Sequence, residues 1–301
     1  GESFVTQLKL ALNADTTPLA VSDVLVFKSL EERAREAAAA GFSAVNADRS
    51  EPGLTPEKAA SILKRHGLQV ASGFFHGQFH QPGQRDALLR EARLQAEFSR
   101  AIGQTCLFVS AYVSPPERFA IAGRVRPDDE TSLDEAEFEI MARLLEEIAR
   151  LWLDSGVRMC FHPHVATYVE APWEIERLLE LTDPGLVRFG PDTGHLLLGG
   201  ADPIDVIEKH FERVHALHTK DARLEVMERA RREGLDYRQT CALGVWTEIG
   251  SGEIDFPRLF KLLENRNWSG WVIVETDHTE LPTALESSRK SRAYLRETFG
   301  L

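Results

Sequence analysis

Side chains that bind metal ions follow four apolar runs in the second half of the chain. The four residues are His162, Asp192, His218 and Glu275. In a barrel of parallel strands, the residue that ends a strand points into the pocket at the top of the barrel. Imidazoles combined with carboxylates favour Mn²⁺, Co²⁺, Zn²⁺ or Fe²⁺, and Mg²⁺ is less suited to imidazole. The sequence therefore predicts one divalent metal ion bound by these four side chains.

Each of these residues also has an ordinary structural explanation. Asp192 could cap a following helix, because aspartate often accepts a hydrogen bond at a helix N-terminus. Glu275 could pair with an arginine, and His218 could be a buried histidine with satisfied hydrogen bonds. The pattern at the fifth strand leaves the ligand open between His162, His164 and Glu170.

Four side chains near these strand ends are candidates for proton transfer or substrate binding. Glu275 is the candidate base, and His164 is a candidate acid. His195 follows Asp192 by three residues and could bind substrate hydroxyl groups. Lys220 has the same strand parity as His218 and could hold a substrate oxygen or transfer a proton. The structural alternatives are a histidine that belongs to a turn and a surface lysine.

Short apolar runs alternate with amphipathic segments along the whole chain, which is typical of parallel βα units. The predicted strands are residues 7–12, 44–47, 68–75, 105–110, 157–161, 187–190, 214–217 and 271–274. Eight such units predict a (β/α)8 TIM barrel that forms a single domain over residues 1–301. A doubly wound sheet is the alternative, but the first strand is not followed by a glycine-rich phosphate turn.

The predicted helices occupy the segments between the strands. They are residues 30–40, 56–66, 87–102, 133–153, 172–181, 203–211, 256–265 and 283–299. Two connections, near 112–132 and 222–246, are longer than a βα loop requires. Both follow strands, so we expect them at the top of the barrel as lids, binding loops or contacts between subunits.

Composition excludes several classes of partner. The 301 residues carry a net charge of −12, which disfavours binding to nucleic acid. No apolar stretch approaches the roughly 18 residues needed to span a bilayer, and no signal peptide is apparent. Cys106, Cys160 and Cys241 are widely spaced and suggest no disulfide framework, so we expect a cytoplasmic protein.

The ordered motifs resemble a known family. Residues 192–195, 213–221, 250–256 and 270–275 are similar to the xylose isomerase-like superfamily of sugar phosphate isomerases and epimerases. The closest pattern is the inosose dehydratase type, which has a similar segment to residues 162–164 and a similar C-terminal tail to residues 285–295. The resemblance covers most of the chain and is strongest over residues 157–301.

The resemblance implies a mononuclear divalent metal held by residues from strands five to eight. In the epimerases of this family, two glutamates bind the metal and act as acid and base, and they correspond to His162 and Glu275. Replacement of the first glutamate by histidine favours the dehydratase type. Asn46 and Ala216 also depart from the family, since relatives often have glutamate and histidine there.

The expected function is that of a metal-dependent isomerase or epimerase acting on a keto-sugar or inosose. It would remove a proton α to a carbonyl and stabilise the resulting enediolate. The alternative is a lyase similar to inosose dehydratase, which removes a β-hydroxyl as water. A non-catalytic sugar-binding barrel is a weaker alternative. The expected partner is a polyhydroxylated small molecule, and the long top loops would suit a homodimer.

Overall fold

Eight parallel strands form the centre of the computed structural model, which describes residues 4–112 and 114–301. In chain order, the strands β1 to β8 are Leu8–Leu12, Ala44–Val45, Gln69–Val70 with Ser72–Gly77, Cys106–Ala111, Arg158–Phe161, Val187–Phe189, Ala216–Thr219 and Gly270–Val274. All eight predicted strands are present. The main shift is in β7, which extends to Thr219, so His218 lies within the strand.

Strand pairing closes the sheet into a barrel. β1 pairs in parallel with β8 from Leu8 opposite Gly270 to Leu12 opposite Val274. The pairings then continue through β2, β3, β4, β5 and β6. A parallel bridge between Asp192 and His218 joins the end of β6 to β7, and β7 pairs with β8. The predicted (β/α)8 barrel is confirmed.

Helices surround the barrel in the predicted order. The helices α1 to α8 are Leu30–Ala39, Pro56–His66, Arg85–Ile102, Glu135–Leu153, Pro172–Leu181, Pro203–Lys209, Phe256–Asn265 and Ala284–Phe299. Their starting points follow from capping chemistry. α4 begins at Glu135 rather than residue 133, because the Asp134 side chain accepts a hydrogen bond from the Glu137 N–H.

Apolar faces at helical spacing hold these helices to the barrel. In α4, Phe138, Met141, Leu145 and Ile148 are buried. They lie three or four residues apart, so they share the face that packs against the strands. Trp152 continues this face and donates its indole N–H to the Ala92 carbonyl oxygen at 2.9 Å. α4 therefore buries its apolar face against the strands while the indole nitrogen of Trp152 keeps a hydrogen bond.

Small side chains fill the lower part of the barrel interior. Ala11, Ala44, Ala71 and Ala216 are buried there together with the larger Phe108. The Phe108 ring lies 4.1 Å from the ring of His218 and 5.1 Å from the ring of His162, measured between centroids. Phe108 therefore forms an apolar floor beneath the strand-end histidines.

The two long top loops contain secondary structure of their own. The first includes the helix Pro116–Ala120, and Val113 within it lies outside the described residues. The second includes the helices Leu224–Glu233 and Tyr237–Ala242, and it closes with a short antiparallel pair of Asp221–Ala222 and Trp246–Thr247. No helix in the described part of the chain is long and apolar enough to cross a membrane.

Candidate active site

Three of the four predicted metal ligands meet at the top of the barrel. His162, Asp192 and His218 each offer a ligand atom, and these three atoms lie within 4.8 Å of one another. Asp192 Oδ2 is 3.7 Å from His162 Nε2 and 3.7 Å from His218 Nδ1. All three side chains are buried. The structure therefore brings the ends of β5, β6 and β7 to one point, as the sequence predicted.

The orientation of His162 leaves one ring nitrogen free. Its Nδ1 lies 2.7 Å from the Gly190 carbonyl oxygen, so Nδ1 carries the proton and Nε2 keeps its lone pair. Gly190 can approach this closely only because it lacks a side chain: a Cβ there would lie 2.8 Å from Cys160 and from Phe108. At metal sites, the ligating histidine usually donates the N–H of its other ring nitrogen to a carboxylate, a backbone carbonyl or water.

Asp192 serves two purposes with its two oxygens. Oδ1 accepts a hydrogen bond from the His195 N–H at 2.9 Å and caps the short helix Thr193–Leu198, which the sequence pattern does not predict. Oδ2 is buried and has no hydrogen-bond partner in the described part of the chain. The capping interpretation is thus confirmed for one oxygen, while the other is free to bind a cation.

The charges of these groups are coupled. Burial lowers the pKa of His162 to about 3, and proximity to His218 adds to this effect. Burial would raise the pKa of Asp192, but Lys220 and the neighbouring histidines bring it below its ordinary value. Burial alone would lower the pKa of His218, but the carboxylates of Glu275 and Asp192 raise it to about 9. Asp192 is therefore anionic and His162 neutral, as metal ligation requires, whereas His218 is protonated without a metal ion and would release a proton when one binds.

Glu275 lies beside the group of three ligand atoms. Its Oε2 accepts a hydrogen bond from His218 Nδ1 at 2.7 Å, and its Oε1 accepts one from Asn13 Nδ2 at 2.9 Å. Lys220 and His218 hold its pKa well below the ordinary value despite burial. The carboxylate is charged and faces the cavity. Its ligation of a metal stays a prediction.

Lys220 is buried among carboxylates. Its Nζ is 2.9 Å from Asp277 Oδ1, 3.3 Å from Glu275 Oε2 and 3.2 Å from His195 Nε2. Burial alone would lower the lysine pKa, but the carboxylates of Asp192, Asp277 and Glu275 raise it above its ordinary value. Lys220 is therefore a fixed cation, not the surface lysine that was the structural alternative.

The remaining candidates at the end of β5 occupy separate positions. The His164 ring lies 3.7 Å from the His195 ring between centroids, and its Nδ1 is 2.6 Å from the Val165 carbonyl oxygen. Glu170 accepts hydrogen bonds from the N–H groups of Ala166 at 2.7 Å and Gly123 at 3.1 Å. Glu170 therefore connects two top loops by hydrogen bonds. Of the three candidates, His162 is the one that lies beside Asp192.

Polar residues after β1 and β2 were missed as a site. The Arg33 guanidinium donates to Asp15 at 2.8 Å and to Asp48 at 2.8 Å, and Asn46 Nδ2 donates to Asp15 at 3.0 Å. Burial raises the pKa of Asp15 to about 6, although Arg33 opposes this shift. Applying the strand-end rule to β1 and β2, as for the last four strands, would have found Asp15 and Asn46.

A cavity of about 570 Å³ opens over this site. Its inner end is polar and includes Asn13, His164, His218 and Glu275, together with Asp15, Asn46 and Asp48 from the cluster around Arg33. A concave site with a few convergent polar groups at one end is the usual form of a small-molecule site.

The donor set fits a divalent metal ion. Asp192 Oδ2 and His218 Nε2 are buried polar atoms without hydrogen-bond partners in the described chain, and His162 Nε2 offers a lone pair. Buried polar atoms without partners are costly, so they usually mark an interaction with something else. One carboxylate and two imidazoles suit Mn²⁺, Co²⁺, Zn²⁺ or Fe²⁺.

Comparison with known proteins agrees with this architecture. The family model described as "Xylose isomerase-like TIM barrel" matches residues 34–298. An inosose dehydratase from Clostridium botulinum (strain Eklund 17B / Type B) is 29% identical over 277 residues, which cover 89% of each chain. An inosose dehydratase from Geobacillus kaustophilus is 33% identical over 229 residues, which cover 74% of this chain and 72% of that protein.

A solved structure shares the fold. The IOLI protein, whose crystal structure contains a bound zinc atom, superposes with a TM-score of 0.67 at 14% identity and covers 98% of this chain and 100% of its own. The family match spans most of the chain, and the resemblance seen in the sequence is confirmed. The chain belongs to the xylose isomerase-like TIM barrel family and is an enzyme of the sugar isomerase superfamily.

Proposed function

We propose that this chain is a metal-dependent lyase of the inosose dehydratase type, which removes a β-hydroxyl from a cyclic ketone as water. The observation that carries the proposal is the buried group of His162, Asp192 and His218, which offer ligand atoms within 4.8 Å of one another beside Glu275. The isomerase reaction shares the first step, but the relatives named inosose dehydratase favour elimination.

The residues would bind one divalent cation through His162, Asp192 and His218, with Glu275 as the fourth ligand that the sequence predicts. Bound there, the cation would supply Lewis-acid stabilisation of negative charge on substrate oxygen. The IOLI protein, which shares this fold and binds a zinc atom, supports a divalent ion in this barrel. Of the candidate ions, Mn²⁺, Co²⁺, Zn²⁺ and Fe²⁺ suit this donor set better than Mg²⁺.

Glu275 is the proposed base. Its carboxylate is ionised, lines the cavity, and is oriented by Asn13 and His218. It would accept the proton α to the carbonyl, and a carbon–carbon double bond would form as the β carbon–oxygen bond breaks. Protonated Glu275 can then transfer this proton to the leaving hydroxyl, which departs as water.

In this proposal, neither Lys220 nor His164 acts as the acid: Lys220 stabilises charge and His164 binds the substrate. Lys220 remains an ammonium group, so it would stabilise negative charge rather than exchange a proton. His164 shares its Nδ1 proton with the Val165 carbonyl, and burial lowers its pKa to about 4. Its Nε2 therefore presents a lone pair, which suits acceptance of a hydrogen bond from a substrate hydroxyl. His195 Nε2 accepts a hydrogen bond from the Lys220 ammonium group, so His195 would position that lysine.

Mass spectrometry of the product tests the reaction type. The protein, loaded in turn with Mn²⁺, Co²⁺, Zn²⁺ or Fe²⁺, is incubated with scyllo-inosose and a panel of keto-sugars. The proposal predicts a product lighter than the substrate by one water, and no product after chelation. A product of unchanged mass would identify an isomerase or epimerase. No turnover with any ion would contradict the enzymatic assignment of this site.

A further inference from the structure

The outer half of the active-site cavity differs in chemistry from the inner half. Its wall is formed by Val24, Leu25, Val26 and Phe27 from the β1–α1 loop, and Phe119 lines it from the β4–α4 loop. We call the four residues 24–27 the apolar rim. The outer half also contains the ion pair of Asp23 with Arg238, whereas the polar groups beside Glu275 that suit a hydroxylated ring lie at the inner end.

The apolar rim is unusually exposed. Val24, Leu25 and Val26 are 47–49% exposed and Phe27 is 57% exposed. Together with Val21 in the same loop, they make up five of the seven large apolar side chains that are exposed in the described chain. A contiguous exposed apolar patch generally marks a binding surface.

Specific contacts hold the rim over the barrel mouth. Arg238 from the β7–α7 loop forms two hydrogen bonds with Asp23, at 2.9 and 3.1 Å. The Val26 N–H donates to Thr17 Oγ1 at 3.0 Å, and the Phe27 ring lies 5.4 Å from the Arg33 guanidinium. The rim is therefore a positioned wall, attached to the same arginine that organises Asp15 and Asp48.

The cavity is larger than a bare sugar ring needs. Cavities of about 300–1,000 Å³ enclose drug-sized ligands, and this one measures about 570 Å³. A hydroxylated six-membered ring at the inner end would leave the rim and Phe119 uncovered. Polar hydroxyl groups gain nothing from such a surface, whereas an aryl or alkyl group gains free energy by leaving water.

We propose that the substrate is a keto-sugar or cyclitol ring that carries a bulky apolar substituent, and that the apolar rim binds this substituent. This inference rests on the proposed function, because it places the reacting ring beside Glu275. The apolar group would lie between residues 24–27 and Phe119, with the ring directed towards His164 and His218.

Calorimetric titration of the metal-loaded protein tests the inference with two non-reacting probes. Phenyl β-D-glucoside and methyl β-D-glucoside carry the same ring and differ only in the substituent. The inference predicts that the phenyl compound binds about tenfold more tightly or better. Phe27→Ser should abolish most of this preference. Val24→Ser should reduce it without disturbing the contact of Phe27 with Arg33.

Val21→Ser is the matched control, because Val21 is 69% exposed in the same loop but does not line the cavity. It should keep the full preference for the phenyl compound. Equal affinities, no detectable binding of either probe, or equal losses in Val21→Ser and Phe27→Ser would overturn the inference. So would a dimer, seen by sedimentation, that Phe27→Ser dissociates while the preference is unchanged.

The two proposals fail in different ways. Metal-dependent turnover of unsubstituted inosose without any phenyl preference would overturn this inference and leave the proposed function intact. A phenyl preference that depends on Phe27, with no turnover of any ketone, would overturn the proposed function and leave the apolar subsite standing.

Discussion

The ammonium group of Lys220 lies 3.6 Å from Oδ2 of Asp192, the buried carboxylate oxygen without a hydrogen-bond partner in the described chain. A cation bound by Asp192 would therefore share this oxygen with a second, permanent positive charge. Repulsion between them weakens metal binding, while both charges attract negative charge that develops on a substrate. The lysine should consequently affect turnover and metal affinity in opposite directions.

Replacement of Lys220 by methionine separates these two effects. We expect Lys220→Met to bind the divalent ion at least as tightly as the unmodified chain, because a competing cation is removed. Turnover should fall by about 100-fold or more, as is usual when one preorganised charge is lost. Metal titration and steady-state kinetics provide the two readouts. Lys209→Met, at an exposed lysine, is the control, and lost metal binding in Lys220→Met would contradict the interpretation.

Glu170 should make stability depend on pH. Burial raises its pKa from 4.5 to about 7, although hydrogen bonds from Ala166 and Gly123 oppose the shift. The folded protein therefore holds this proton more tightly than the unfolded chain between pH 4.5 and 7. Protonated Glu170 makes its whole contribution to the free energy of unfolding below pH 4.5. This contribution, up to about 3 kcal/mol, is lost as the pH rises through 7.

Urea unfolding at pH 5 and pH 8, with chelator present, measures this contribution. Glu170→Gln cannot ionise, so its stability relative to the unmodified chain should be more favourable at pH 8 than at pH 5. Glu225→Gln, at an exposed position, should show the same pH dependence as the unmodified chain. A Glu170→Gln variant with the unmodified pH dependence would show that the carboxyl group titrates normally.

The ion pair of Arg118 and Glu174 should contribute strongly to stability. Both side chains are fully buried, and the guanidinium donates to the two carboxylate oxygens at 2.5 and 2.9 Å. Glu174→Gln leaves a buried arginine without its counter-charge, which should cost about 3–5 kcal/mol of unfolding free energy. The same change at Glu135, which pairs with Arg177 at the surface, should cost less than about 1 kcal/mol. Equal losses of unfolding free energy in the two variants would contradict a stabilising role for the buried ion pair.

Much of the fold could be predicted because strand and helix signals alternate regularly. Apolar runs of strand length gave all eight strands, and Thr55 followed by Pro56 marked the start of α2. The short helix Thr193–Leu198 was missed because its run of three leucines has no helical spacing. The extension of β7 to Thr219 was missed because His218 and Thr219 are polar, yet both are buried.

The candidate site also contains some residues that the sequence could predict and others that it could not. His162, Asp192 and His218 could be predicted to converge because each closely follows the apolar part of a parallel strand. Arg33 could not be placed, since an arginine in a helix rich in charge appears solvent-exposed, and only the tertiary structure buries it against Asp15. Protonation states also depend on tertiary contacts, as with His164. The predicted cytoplasmic location and homodimer stay predictions.

The measurement that tests the account most directly is the metal content of protein prepared without chelator, compared with Asp192→Ser. Serine can still cap the helix Thr193–Leu198, so the variant should fold normally and lose only the ligand oxygen. We expect about one Mn, Co, Zn or Fe ion per chain in the unmodified protein and almost none in the variant. Equal metal content in both proteins, or no metal in either when each is folded, would contradict a metal site at His162, Asp192 and His218.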